Sequence, residues 1–401
     1  MFCCFCSLLC DREDLHRGCE IRAKALTQLN ARERTSLPRF SGSQTEIDDL
    51  LINIRKKLIA STNILLTGRI FSVETSRTVL ALARTLGASL DASELGWAMN
   101  NALATAKNGA FTTSLADARA TSQTFIVLDD GSLLDRFPRL PHLLCESIQG
   151  QTDARTVLLL GTPTEATKEA WASLFPNTWL VHGSMEQLPT TLNQWTSTRN
   201  SPDPEDSTPW LVDLKSSTYT SVVWSPGSLS VSQSDLWIED LMHWIRMQNE
   251  ETRCSSLTLS GLEATFQQAC TWTTGFPGRI RFRDEVPLFE PTESNYLSWI
   301  DRYRHDPRAS IVCIDESART EPFLSKNTTE SFAGTIVEIH GNRLEVDQDF
   351  SRMRLPTRTA GFDMNATLSR ADQVVMAFVA SQSSTAEDWP TPSEWLTRLT
   401  S

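Results

Sequence analysis

Four short apolar runs mark the first half of the chain: Asn63-Ile-Leu-Leu-Thr-Gly68, Thr124-Phe-Ile-Val-Leu-Asp-Asp130, Thr156-Val-Leu-Leu-Leu-Gly161 and Thr178-Trp-Leu-Val-His-Gly183. Each is continuously apolar and closes on Gly or Asp, a pattern that predicts strands buried on both faces of a parallel sheet. Between the first two, Thr78, Val79, Leu82, Ala83 and Leu86 recur at helical spacing from Glu74 onward, and Gly87 stands where a C-cap belongs. Residues 50–196 therefore read as a Rossmann-like layered α/β domain.

The polar, proline-bearing stretch "STRNSPDPEDSTP", Ser197 to Pro209, reads as a connection between domains. A second series follows, with Ser256-Leu-Thr-Leu-Ser-Gly261, Ala309-Ser-Ile-Val-Cys-Ile-Asp315 and Thr335-Ile-Val-Glu-Ile-His340 as strands around a helix from Gln233 to Asn249. Residues 210–345 are expected to form a second α/β domain. Residues 346–401 are expected to pack back on the core as a C-terminal segment. Trp224, Trp237 and Trp244 surround the amphipathic helix of this series and are expected to offer an apolar face to a partner. No internal repeat is evident.

Composition narrows the function. The chain has 401 residues, 40% hydrophobic and 21% charged, as expected of globular domains with sizeable cores. Its 49 acidic residues outnumber its 37 basic ones, and the net charge of -12 repels nucleic acid and anionic membranes. No run approaches the roughly 20 apolar residues of a bilayer span. The N-terminus lacks the basic n-region of a signal peptide, so a cytoplasmic chain with reduced thiols is expected.

Those thiols are concentrated at the start. Residues 1–49 form a cysteine-rich segment in which Cys3, Cys6 and Cys10 are followed by Cys19, with Cys4 beside the first. In a reducing compartment such spacing suits a [4Fe-4S] cluster, and zinc accepts four thiolates as well. Incidental buried thiols are the plain alternative. Cys145, Cys254, Cys270 and Cys313 stand singly in apolar surroundings and read as core thiols.

The familiar α/β signatures are missing. No G-x-G-x-x-G follows a strand, and neither a P-loop nor a G-x-S-x-G elbow is present. The six histidines are scattered. Asp129 and Asp130, at a strand end, read as turn or helix caps rather than an acid and base.

Longer stretches carry a resemblance. The opening Cys3-x2-Cys6-x3-Cys10-Asp11 with "CEIRAKAL" from Cys19 resembles the N-terminus of the B-type chain of formylmethanofuran dehydrogenase. "LLTGRIFSVETSRTVLALARTLGASLD" (65–91) is similar to the family's first Rossmann-like unit, and "NGAFTTSLADARATSQTFIVLDDGSLLDRFPR" (108–139) resembles its G-x-P-T-C-T-L-G-E stretch, strand and H-P-R. "NEETRCSSLTLSGLEATFQQACTWTTGFPGRIRFRDEVPLFEP" (249–291) resembles N-x-x-T-R, a strand and T-W-x-T-G-Y-P; Ala360 to Asp372 resembles G-x-x-x-x-G-T-x-x-R-x-D.

The resemblance implies the molybdopterin-oxidoreductase fold, with Cys3, Cys6, Cys10 and Cys19 as ligands of a [4Fe-4S] cluster. It places Gly68, Thr274, Gly275 and Pro277 at a remnant of the pterin pocket, although Gly275 and Pro277 also suit plain turn chemistry. Where the family has its metal-binding cysteine this chain has Thr113, and where it has the histidine of H-P-R it has Phe137. A neutral hydroxyl is a far poorer ligand for Mo or W than a thiolate. These departures point to the bacterial branch, a formyltransferase/hydrolase complex of tetrahydromethanopterin-linked one-carbon metabolism. There the chain is expected to lack molybdopterin and to act structurally alongside amidohydrolase-like, formyltransferase and C-type subunits. The alternative is a working oxidoreductase chain with a Mo or W centre and a [4Fe-4S] cluster.

Overall fold

The computed structural model describes residues 3–10, 13–34, 44–91, 95–145, 155–188, 190–193, 209–228, 234–290, 299–317, 323–340, 345–346, 351–378 and 389–400. Most of the connecting stretch 197–209 lies outside them. In chain order the strands are β1 (Asn63–Arg69), β2 (Ser89–Asp91), β3 (Thr124–Asp129), β4 (Thr156–Gly161), β5 (Asn177–His182), β6 (Tyr219–Trp224) and β7 (Arg253–Thr258). They continue with β8 (Ile280–Arg283), β9 (Val286–Phe289), β10 (Ala309–Asp315), β11 (Thr335–Ile339), β12 (Glu345–Val346), β13 (Arg352–Leu355), β14 (Ala366–Ser369) and β15 (Val375–Phe378). The helices that matter below are α1 (Glu20–Arg34), α2 (Gln44–Ala60), α3 (Val73–Leu86), α4 (Leu95–Asn108), α5 (Ser234–Gln248), α6 (Ala264–Thr274) and α7 (Pro392–Thr400).

Every apolar run singled out in the sequence contributes to a strand, and helices flank the sheets in a Rossmann-like α/β arrangement. One sheet has the order β5-β4-β3-β6-β7, all parallel. The other has the order β12-β13-β11-β10-β1-β2-β8-β9, parallel from β13 to β2 and antiparallel at both ends. In each sheet the first strand in sequence lies inside. Later strands are added on both sides of it, so the order reverses beside β1 and beside β3.

This topology corrects the expected division at 50–196 and 210–345. β1 pairs with β10, and β3 pairs with β6, so each sheet takes strands from both sides of that boundary. The five-stranded sheet is instead an insertion between β2 and β8 of the larger one. Local apolar runs announce strands but not their partners, because parallel pairing joins segments distant in sequence.

The helix foreseen from Glu74 is α3, and its ends have clear causes. Ser72 Oγ accepts from Thr75 N (3.2 Å), while Gly87 takes the left-handed conformation at φ 62° and donates its N–H to the Ala83 and Arg84 carbonyls. Val79, Leu82 and Ala83 are buried against one core with Ile54 and Leu58 of α2 and Trp395, Leu396 and Leu399 of α7. A Cβ at Gly87 would meet only Phe282 O at 3.7 Å, so the left-handed backbone supplies the penalty. Gly87→Ala is expected to cost about 1 kcal/mol, readable as a shifted denaturant midpoint with an unchanged slope.

The three tryptophans face inward, which corrects their expected role at a partner interface. Trp224 Nε1 donates to Ser256 Oγ (2.8 Å), Trp237 Nε1 to Met185 O (2.6 Å) and Trp244 Nε1 to Leu192 O (3.0 Å). All three are buried in the core between α5 and the five-stranded sheet. Helical spacing identifies an amphipathic helix but does not say whether its apolar side meets the chain's own sheet or another molecule.

Candidate functional site

The carboxyl ends of the parallel strands gather charged residues. Arg69 ends β1, Asp315 ends β10 with Glu316 and Ser317 next, and His340 follows β11. Arg69 Nη2 lies 3.2 Å from Asp315 Oδ2, and His340 Nδ1 lies 3.4 Å from the same oxygen. Asp315 Oδ1 accepts from Ser317 N (2.9 Å), and Arg69 Nη1 donates to Ser317 Oγ (3.3 Å). Neighbouring strands thus hold a buried acidic, basic and imidazole group at the edge where doubly wound sheets place their ligand sites.

Glu316 is buried and its carboxylate is saturated. Oε2 accepts from Phe71 N (2.6 Å) and Ser72 N (2.8 Å), and Oε1 accepts from Ser72 Oγ and Thr75 Oγ1, both at 2.6 Å. Two of these donors are backbone amides leading into α3, so the carboxylate sits at the positive end of the helix dipole. Burial pushes its pKa above the usual glutamate range, against the hydrogen bonds, which pull the other way.

Next to these groups lies a crevice of about 470 Å³. Its wall includes Arg69 and Glu316 from the larger sheet, Arg136 and Glu263 following β3 and β7 of the smaller one, and Cys4 and Cys6 of the N-terminal loop. Arg136 donates to Ser225 Oγ (3.0 Å), lies 3.7 Å from Glu263 and stacks over Phe137, its guanidinium carbon 5.5 Å from the ring centroid. Phe137, at the position of the H-P-R histidine, is buried in the core and serves packing.

The cysteine loop folds onto the same region. Cys3 N donates to Cys10 O (2.8 Å), Leu9 N to Cys6 O (3.2 Å) and Ala371 N to Ser7 O (2.6 Å). Burial raises the thiol of Cys3, lifts that of Cys4 to about 12, and raises Cys6 further, with Cys10, Cys3 and Cys19 near enough to add to the rise. Cys3, Cys6 and Cys10 pack in one apolar cluster. Among the described residues, however, no group of three or more His, Cys, Asp or Glu side chains is arranged to hold a metal ion. Of the single cysteines, Cys254, Cys270 and Cys313 are buried, whereas Cys145 is half-buried with its Sγ 3.5 Å from Leu174 O.

Thr113 lies at a second cavity, of about 700 Å³, between α4, α5, α6 and the turn at Asp372 and Gln373. Its N–H donates to Ser256 O (3.0 Å), and the neighbouring Thr112 bridges Ser256 at the edge of β7. Among the described residues the cavity is lined by no thiol, lysine, arginine or histidine. A pterin dinucleotide needs a partner for its pyrophosphate, and its metal needs a charged donor. Among the described residues the lining offers the carboxylates of Asp117 and Asp372 but no cation for a pyrophosphate.

The four residues assigned to the pterin remnant line neither cavity. Gly68 belongs to β1, where a Cβ would stand 1.9 Å from Ile314 O, so the glycine serves the close approach of β10. Gly275 caps α6 at φ 82° with its N–H on Thr271 O, and Thr274 Oγ1 donates to Cys270 O (2.7 Å) and accepts from Phe276 N (3.2 Å). Thr274 to Pro277 is thus a helix-ending turn. Asp129 accepts from Gly131 N (2.9 Å) and Leu133 N (3.0 Å), as a cap should, and burial raises its pKa. Arg69, Glu316 and Arg136 are not singled out in the sequence; Arg69 directly follows the apolar run ending at Gly68 and Glu316 the run ending at Asp315, which was an available signal, whereas Arg136 lies beyond the end of β3 with none.

These two sheets, with ligand-sized space at their carboxyl edges, define the chain as a Rossmann-like α/β protein of the doubly wound kind. It shares its fold with a chain of the formyltransferase/hydrolase complex (FhcABCD) from Methylorubrum extorquens, a crystal structure in complex with methylofuran. The TM-score is 0.69 at 19% identity, over 90% of this chain and 96% of that one. No protein-family model matches the chain, and no curated protein matches it. Among the described residues no helix is long and apolar enough to cross a membrane.

Proposed function

We propose that the chain is the B-type member of a formyltransferase/hydrolase-like complex and that its role there is structural. The single observation that carries the structural role is Thr113, a hydroxyl in a cation-free cavity at the position of the family's metal thiolate. Support for the complex comes from the fold shared with the FhcABCD chain over nearly the full length of both. In this reading amidohydrolase-like, formyltransferase and C-type subunits are its partners, the cytoplasm is its compartment, and one-carbon units at the formyl level are the complex's substrates. The test is elemental analysis of the complex purified with this chain: no stoichiometric Mo or W is expected, and finding either would replace the structural role with an oxidoreductase.

Cys3, Cys6, Cys10 and Cys19 are part of the same proposal as holders of a [4Fe-4S] cluster, which would have to draw the four thiols together as thiolates. Metal binding deprotonates thiols and so works against the burial that raises them. Anaerobic reconstitution is expected to load about four irons with matching sulfide per chain. Nine thiols titrating as free after that treatment, matching the nine cysteines of the chain, would remove the cluster.

A further inference from the structure

The hairpin of β8 and β9 ends the larger sheet with one face in the core and the other open. Ile280 and Phe282 join the core shared with α3 and α6, and Phe289 stacks on Phe276 with ring centroids 5.2 Å apart. The opposite face of the sheet is covered as far as β2, where Ser89 Oγ lies 3.4 Å from the hydroxyl of Tyr303 in the short helix Trp299–Tyr303. Ser89 pairs with Arg281 of β8, and beyond it that face presents Arg281 and Arg283 beside Val286 and Leu288. Register sets Arg281 opposite Leu288 and Arg283 opposite Val286, so the four side chains form one patch. Val286 is 56% exposed and Leu288 40%.

The charges of the patch decide what it can hold. Arg279, just before β8, lies 3.5 Å from Asp91, whereas among the described residues Arg281 and Arg283 have neither a hydrogen bond nor an ion pair. In a chain of net charge -12, two guanidinium groups left unpaired between exposed aliphatic side chains call for carboxylates from another molecule. Arginine is also enriched among the residues that anchor protein interfaces. Asp284 and Glu285 stand exposed at the turn and would repel a phosphate backbone or an anionic membrane, so a protein segment with interleaved charges fits better. Addition of a further strand is no rival. Glu290 N donates to Arg279 O (3.0 Å), so by alternation the outward backbone groups of β9 are those of Pro287 and Phe289, and Pro287 has no N–H. Recognition falls to the side chains of the open face.

We infer that this face docks an acidic segment of a partner protein, with two carboxylates on Arg281 and Arg283 and apolar side chains on Val286 and Leu288. The two arginines are spaced about 6.6 Å along the strand, a spacing met by carboxylates at i and i+2 of an extended segment or i and i+4 of a helix. The inference rests on the reading of the chain as one member of a larger complex. Its test is photo-crosslinking in the complex purified with the full chain, with p-benzoylphenylalanine replacing Leu288. The attachment is expected on a partner peptide in which two Asp or Glu residues are interleaved with apolar ones. Arg281→Glu with Arg283→Glu is expected to weaken assembly at least about tenfold, and Arg281→Lys with Arg283→Lys, which keeps the charge, to retain most of it. The unfolding midpoint of each variant confirms that it is folded. Attachment to this chain's own residues 291–298, to a second copy of the chain or to a partner peptide without that acidic pair would overturn the inference and leave the complex standing, as would undiminished assembly in the folded double-Glu variant. A parent chain that purifies alone would remove both.

Discussion

Glu316→Ala is expected to lower the stability of the chain by about 4 kcal/mol, the largest loss from any single side chain outside the apolar cores. The substitution strands the Phe71 and Ser72 amides and the Ser72 and Thr75 hydroxyls in the interior. An unsatisfied buried donor costs about 1–3 kcal/mol, and the hydroxyls recover part of their share by turning to other acceptors. Glu316→Gln separates the effects of shape and charge. Its carbonyl can face the two amides while its NH2 faces the two hydroxyls, which rotate to accept, so a cost of only about 1 kcal/mol is expected.

The same variant fixes the pH dependence. Burial raises the folded-state pKa of Glu316 above the unfolded value, so the protonated form is relatively favoured in the folded chain. Its contribution is fully present below the usual glutamate range and is lost as pH rises through the raised folded value. Denaturant midpoints of the parent chain should therefore carry a component that declines from acid toward neutral pH, and Glu316→Gln should remove it. Identical pH profiles would show that the carboxylate titrates alike in both states. A loss below about 0.5 kcal/mol in Glu316→Ala would show that the four donors find other partners.

The sequence makes some levels of this architecture visible and hides others. β1, β3, β4 and β10 are legible because both faces of each are buried, which produces unbroken apolar runs. β6, reading Tyr-Thr-Ser-Val-Val-Trp, escapes notice because hydroxyl residues interrupt it, although all but its first residue are buried. Its hydroxyls are satisfied within the sheet region, as Ser221 with Ser122 at 2.7 Å illustrates. Nothing local in β1 announces β10 as its neighbour, and the expected domain boundary failed for that reason. The crevice was hidden likewise: Arg69 and Glu316 become one site only when their strands are paired.

The cysteines illustrate the opposite limit. Their spacing in the sequence is suggestive, and the loop packs Cys3, Cys6 and Cys10 into one apolar cluster, while Cys19 stands just before α1. Proximity and a ligand set are different things, because a cluster also fixes the direction in which each sulfur points. Thr113 is the more informative position, since the proposed structural role turns on the residue type there.

If the chain is the proposed member of a formyltransferase/hydrolase-like complex, removing it is expected to abolish most formate release from formyl-tetrahydromethanopterin, whereas Thr113→Ser is expected to leave turnover within about twofold. The two expectations separate assembly from chemistry. If the chain holds its partners together, its loss dissociates them and substrate transfer between active centres fails, whatever the competence of each centre. Thr113 contributes a backbone bond to Ser256 O and a weak hydroxyl contact to Ser114 O at 3.4 Å, and serine can keep both. A position that makes no transition-state interaction has none to lose, so both kcat and kcat/KM should stay nearly unchanged. Dye reduction dependent on formate or formylmethanofuran should be undetectable in the intact complex. Dye reduction above background, or a large loss of turnover in an assembled Thr113→Ser complex, would return the Thr113 cavity to catalysis.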